Sequence, residues 1–197
     1  MEHSFRNFSC LFLLVATFAF NGIVSGQQPC DESIKTGFIE KNAYYRQLHH
    51  VPELLTDYEP LAEWAQQLAD YWREYENTGY TPEHSWPGPD FNFVFRRVPP
   101  TEAQTGEAIV TEEYDRGERV YRENHLYGTE PSSWIIGEIE NFTQMVWKNS
   151  SYIGVGCGRS DESGEIFVVA VYSPGGNLVD EFAENVLPPD NNEVNQD

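Results

Sequence analysis

The chain has 197 residues and a formal net charge of −20, from 12 Lys and Arg set against 32 Asp and Glu. That length supports one domain of ordinary size with a real core. The acidity excludes nucleic-acid backbones and anionic lipid surfaces as electrostatic partners.

The first 26 residues read as a removable signal. Arg6 supplies the positive start, Phe8 to Phe20 is an apolar stretch too short to span a bilayer comfortably, and Val24-Ser25-Gly26 is a small-residue cleavage site. An uncleaved signal anchor is the alternative. No other stretch approaches transmembrane length, so the expectation is a secreted protein without a transmembrane anchor. Residues 27–32 are a short tail, 33–189 the domain, and 190–197 a polar tail. Of three cysteines, Cys10 leaves with the signal. Cys30 and Cys157 remain, and an even count in a secreted chain suggests a disulfide. A buried free thiol at Cys157 is the other possibility.

Ile34, Phe38, Tyr45 and Leu48 recur at helical spacing, with Asp31 or Ser33 available as N-cap. Pro52 ends this helix near His49-His50-Val51. Pro60 opens a second helix, with Leu61, Ala65, Leu68 and Trp72 along one face and Trp64 beside it. Residues 77 to 105 are the least regular and hold His84, Trp86, Phe91, Phe93 and Phe95. A loop so rich in aromatics either packs down as a satellite core or offers a lipid-contact surface. A third helix is predicted from Glu112 to Tyr127, with weaker periodicity through Tyr114 and Tyr121.

The most informative stretch follows. Ile139, Phe142, Met145, Val146 and Trp147 give a helical apolar face interrupted by Asn141, Thr143 and Gln144. Then Ile153, Val155 and Cys157 alternate with Gly154, Gly156 and Gly158, which predicts a strand with one packed and one bare face. The continuous run Phe167 to Tyr172 predicts a central strand buried on both faces. Ser173-Pro174-Gly175-Gly176-Asn177 closes it as a tight loop.

These residues resemble the CAP superfamily, also called SCP or TAPS, which includes cysteine-rich secretory proteins, venom-allergen-like proteins and plant pathogenesis-related proteins of class 1. Its first signature is matched by Phe142, Thr143, Gln144, Val146, Trp147 and Ser150, with Asn141 in place of a histidine. Its second is matched by Phe167, Val168, Tyr172, Pro174, Gly176 and Asn177, with Ala170 in place of a cysteine. Leu61 to Asp70 matches the family's second helix. Asn42-Ala43-Tyr44-Tyr45-Arg46 is a degraded form of the first-helix motif, and Thr105-Gly106-Glu107-Ala108 resembles another family motif. Phe182 to Pro189 looks like the closing segment of the Golgi-associated plant-pathogenesis-related subgroup. The resemblance covers about residues 33 to 189. It implies an α+β fold, a three-layer α-β-α sandwich around a mainly antiparallel sheet.

The resemblance also implies a central cleft of two histidines and two glutamates that can hold a divalent metal. Its positions fall on His84, Glu107, Glu123 and Asn141. An amide is a poor substitute for an imidazole toward zinc. His125, two residues past Glu123, points about 200° away on a helix, so no replacement is visible. No cofactor is therefore expected, and His84 is the one weak metal candidate. No nucleophile with an activating base is evident, and no catalytic residue is assigned. Asn141-Phe142-Thr143 and Asn149-Ser150-Ser151 are both glycosylation sequons, and Asn149 is the one expected to carry sugar.

The leading expectation is a secreted CAP-domain glycoprotein that acts by binding, either a sterol or fatty acid or an extracellular protein. Trp86, Phe91, Phe93 and Phe95 are its candidate lipid-contact residues. The alternatives are a metal-dependent hydrolase using the cleft, and a structural extracellular component docking through Cys30.

Overall fold

A computed structural model describes Cys30, residues 32–79 and residues 90–190. Its elements run α1 (Glu32–Leu48), α2 (Glu59–Thr78), β1 (Asn92–Val98), α3 (Gly106–Glu123), α4 (Ile136–Met145), β2 (Tyr152–Arg159), β3 (Ile166–Ser173) and the short α5 (Phe182–Asn185). The sheet has the order β1-β3-β2, and both pairings are antiparallel. β3 is central, and every residue from Ile166 to Tyr172 is buried.

Alternation along β3 builds two cores. Val169 and Val171 face α2 and pack with Leu61, Ala65, Leu68 and Ala69. Ile166, Val168, Ala170 and Tyr172 face the other way, into the core shared by α1, α3 and α4. The α-β-α layering follows from a strand that is apolar on both faces and needs cover on each.

The glycine face of β2 is covered, in contrast to the bare face the alternation predicts. A Cβ on Gly154 would lie 2.2 Å from Leu61 C, and one on Gly156 would lie 2.2 Å from Ala65 C and O. Helix α2 thus rests backbone to backbone on β2. Gly156→Ala has to lift the helix, and overpacking of this kind costs about 1–3 kcal/mol. Equilibrium urea unfolding is expected to show that loss, and an unchanged midpoint would contradict the close approach. Helix α2 also guards the sheet edge. The Gln66 side chain donates to Cys157 O (2.9 Å) and accepts from Cys157 N (3.2 Å), occupying backbone groups that would otherwise recruit another strand.

Two elements differ from their predicted bounds. The third helix begins six residues before Glu112, because Thr105 caps it by accepting from Ala108 N. It ends at Glu123, with Asn124 as its C-cap and the next residue, His125, at φ 55. Residues 92–98, expected within an irregular loop, form β1 by pairing with β3. Non-local pairing overrode a local pattern crowded with aromatics.

Candidate functional site

Helix α1 buries a stripe of Ile34, Phe38, Asn42 and Arg46, one residue per turn. Arg46 is fully buried, and its guanidinium is spent on four carbonyls. Its Nε donates to Pro52 O (2.7 Å), Nη1 to Met145 O (3.1 Å) and Trp147 O (2.8 Å), and Nη2 to Ser150 O (3.0 Å). Asn42 Nδ2 adds a bond to Met145 O (3.4 Å). Apart from Pro52, which follows α1, these acceptors lie at the C-terminus of α4 and in the turn after it, where helical carbonyls lack partners and the dipole is negative. Burial lowers the Arg46 pKa to about 10, so the group is still cationic at neutral pH.

The polar residues of α4 clasp the loop after β3. Gln144 Oε1 accepts from Gly176 N (2.7 Å) and its Nε2 donates to Ser150 Oγ (3.0 Å), which donates to Pro174 O (2.8 Å). Thr143 Oγ1 donates to Asn177 Oδ1 (2.6 Å), and Asn177 Nδ2 to Glu140 O (2.9 Å). The two motifs that carry the family resemblance are therefore each other's binding partners. Their amides and hydroxyls satisfy backbone, which is a structural duty.

Asn141 stands at the other side of α4, half-buried. Its Nδ2 donates to Glu113 Oε2 at 2.7 Å. Glu113 comes from the middle of α3 and is 1% exposed. Arg116 Nη2 bonds the same oxygen, and Arg96 Nε of β1 lies 3.2 Å from the other. Arg96 in turn reaches Glu112 (2.6 Å) and Glu102 (3.0 Å). Two guanidiniums and an amide N–H thus surround one carboxylate. As a ligand set for a divalent cation, this group of described residues does not fit: a metal would face two fixed guanidinium charges, with one Glu113 oxygen bonded to Asn141 and Arg116 and the other facing Arg96.

His49 is the third polar centre. It is fully buried, with Nε2 accepting from Tyr114 OH (2.7 Å) and Nδ1 donating to Leu187 O (2.5 Å). Tyr114 stacks on Tyr45 with ring centroids 3.6 Å apart. Burial pushes the His49 pKa down to about 4, which outweighs the rise from the Leu187 carbonyl. The unfolded chain binds this proton below about pH 6.5 and the folded chain only below about pH 4. Acidification across that window therefore favours unfolding, by an amount on the order of 3 kcal/mol. Urea midpoints at pH 7 and pH 4.5 are expected to diverge more in the wild type than in His49→Gln. Equal divergence would show that His49 carries no part of the effect.

The structure does not bring Glu107, Glu123 and Asn141 together. Glu107 lies in the first turn of α3 and Glu123 is its last residue, both exposed. At 1.5 Å per residue they are about 24 Å apart along the axis. Glu107 borders a groove with Gly37, Glu40, Lys41 and Tyr44 of α1. The acid that meets Asn141 is Glu113. One unbroken helix from Gly106 to Glu123 separates two glutamates that a shared cleft requires to be close.

His84 and Trp86 lie outside the described residues. Phe91 and Phe95 pack against α2 through Trp64 and Trp72, with ring centroids 4.8 and 5.1 Å apart, so they belong to the satellite core. Phe93 is 38% exposed. Cys30 and Cys157 form a disulfide with Cα atoms 5.6 Å apart, which commits Cys30 within the chain and removes the docking route suggested for it. Asn149 is exposed in the turn between α4 and β2. Arg46, Asn42, Glu113, Arg96 and His49 are the residues sequence reasoning missed. A cation and an amide in register with Ile34 and Phe38 were the available signal for two of them. Glu113, beside Ile109, Val110 and Tyr114 on the buried face of α3, was the signal for a third.

A family model described as the cysteine-rich secretory protein family, CAP, matches residues 39–172. The human Golgi-associated plant pathogenesis-related protein 1 is 34% identical over 152 residues, covering 74% of this chain and 86% of that protein. A probable pathogenesis-related protein of Arthroderma benhamiae is 33% identical over 92 residues, covering 42% of this chain and 28% of its own. The crystal structure of Na-ASP-1 superposes with a TM-score of 0.50 at 16% identity, over 75% of this chain and 40% of that one. That last likeness concerns the fold alone.

Proposed function

We propose, from the premise that this chain belongs to the cysteine-rich secretory protein (CAP) family, that it is a secreted protein which acts by binding a lipid or an extracellular protein, without a metal and without catalysis. The observation that carries this reading is the state of Glu113. An acid that is to serve as general base or metal ligand needs a free lone pair facing substrate. Both Glu113 oxygens are instead turned toward Arg96, Arg116 and Asn141.

Secretion rests on the signal-like leader and on the disulfide, which needs an oxidising compartment. Among the described residues no helix is long and apolar enough to cross a membrane. A glycan on Asn149 belongs to the same reading. The Asn141 nitrogen to which sugar would attach already donates to Glu113, whereas Asn149 is exposed.

Two measurements on the purified protein test the proposal. Calorimetric titration with zinc is expected to give no submicromolar binding. Incubation with a fluorescent sterol and a fatty acid is expected to show uptake of one of them if the ligand is a lipid, and neither if it is a protein. Submicromolar zinc binding accompanied by ester hydrolysis that is lost in Glu113→Gln would overturn it.

A further inference from the structure

Most large apolar side chains are buried, but Trp134 is 72% exposed and Val179 is 78% exposed, with Leu178 at 45%. They belong to one cluster of loops. The Glu130 carboxylate accepts from Asp180 N (2.9 Å) and Phe182 N (3.4 Å), tying the connection before α4 to the loop after β3. Asn177 fastens the other end of that loop to α4 through Glu140 O and Thr143. Beneath it, Phe182 is buried edge-on against the Trp147 ring at 5.1 Å.

The loop is held at both ends, and its tip carries the apolar pair outward. Asn177 and Asp180 sit at φ 61 and 68, the left-handed turn conformation that Asn and Asp adopt most readily after glycine. Leu178 and Val179 lie between them. This loop presents two aliphatic side chains to water, and Glu130 ties it to the connection that carries the exposed Trp134.

The charge around the cluster selects the partner. Residues 128–140 and 177–185 contain no Lys or Arg. They carry Glu130, Glu138, Glu140, Asp180, Glu181 and Glu184, all exposed. A second copy of the same surface would bring six carboxylates against six, and an anionic membrane would be repelled. An apolar centre with an acidic rim is complementary to apolar side chains flanked by cations.

We propose that Trp134, Leu178 and Val179, within this carboxylate rim, form a docking surface for a Lys/Arg-rich amphipathic segment of another protein. Trp134 is the anchor, since a rigid aromatic buries much area at small entropic cost. The rim sets orientation and association rate and is sensitive to salt. The proposal rests on the reading of this chain as a binding protein and names the class of partner.

The test uses the full mature protein and three synthetic probes. These are a helical Leu/Lys amphipathic peptide, its Leu/Glu counterpart, and a Ser/Lys peptide of equal charge. Calorimetry is expected to detect only the Leu/Lys peptide strongly. Its affinity is expected to fall about tenfold or more in Trp134→Ala and in the pair Leu178→Ser with Val179→Ser. It is expected to hold in Leu55→Ser, an exposed apolar position elsewhere, with circular dichroism confirming that each variant folds. Equal affinity across all variants would mean that net charge alone attracts the peptide, and would overturn the proposal. So would neutral phosphatidylcholine vesicles bound through the same three residues, or a dimer that the same substitutions dissolve. Hydrolytic turnover would sink the broader reading of function while leaving the peptide titration to stand or fall by itself.

Discussion

Arg46→Ala is expected to destabilise the protein severely. The substitution takes the guanidinium donors from the carbonyls of Pro52 and Ser150, leaves Met145 O to Asn42 alone and Trp147 O to Ser150 N alone, and empties the space of a large buried side chain. Each orphaned buried acceptor costs about 1–3 kcal/mol, and these costs do not simply add. A loss of about 4 kcal/mol or more is the reasonable scale, against a total stability of roughly 5–15 kcal/mol. Arg46→Lys separates charge from geometry. It keeps the cation but has one nitrogen where the guanidinium spans three directions. Its stability is expected to fall between the wild type and Arg46→Ala by equilibrium urea unfolding. An Arg46→Ala protein within about 1 kcal/mol of wild type would show that α4 does not depend on this clamp.

Loss of the disulfide ranks beside it. Cys30 and Cys157 are separated by 127 positions, so the bond closes most of the domain into one loop. Loop-closure entropy at that separation gives about 5 kcal/mol as a ceiling, and observed losses are more often 2–4 kcal/mol. Cys30→Ser is expected to lower the urea midpoint accordingly, and the wild type under reducing conditions should behave the same way. If reduction shifts the wild type but leaves Cys30→Ser unmoved, the effect belongs to this bond. If neither perturbation matters, packing of α1 against α3 and the sheet suffices to hold the N-terminal end.

These two expectations concern the same framework from opposite sides. Arg46 fastens α1 to the end of α4, and the disulfide fastens Cys30, two residues ahead of α1, to β2. Between them lie the clasp of Gln144, Ser150 and Asn177 and the His49 link to Leu187. The part of the chain in which its family is most recognisable is therefore an internal brace. The exposed loops around Trp134 and Val179 lie outside that brace.

Helices α1, α2 and α4, the glycine-alternating β2 and the buried β3 were legible in order, because each is written in local periodicity and punctuated by proline or glycine. The two family motifs were legible for the same reason, as contiguous strings. β1 was not, since a strand at the edge of a sheet is defined by the partner it pairs with, and Phe91, Phe93 and Phe95 read equally well as a loop. Nor was the extent of α3, where one hydroxyl at Thr105 starts the helix.

What this sequence determined by itself is the family and the α+β class, both of which follow from which residues stand next to one another along the chain. What only the tertiary structure decided is the company Asn141 keeps. Glu113 meets it from α3, and Arg96 of β1 pairs with that Glu113, although the three are distant in sequence. Charge pairing across elements depends on how helices and strands stack, and no spacing along the chain encodes that.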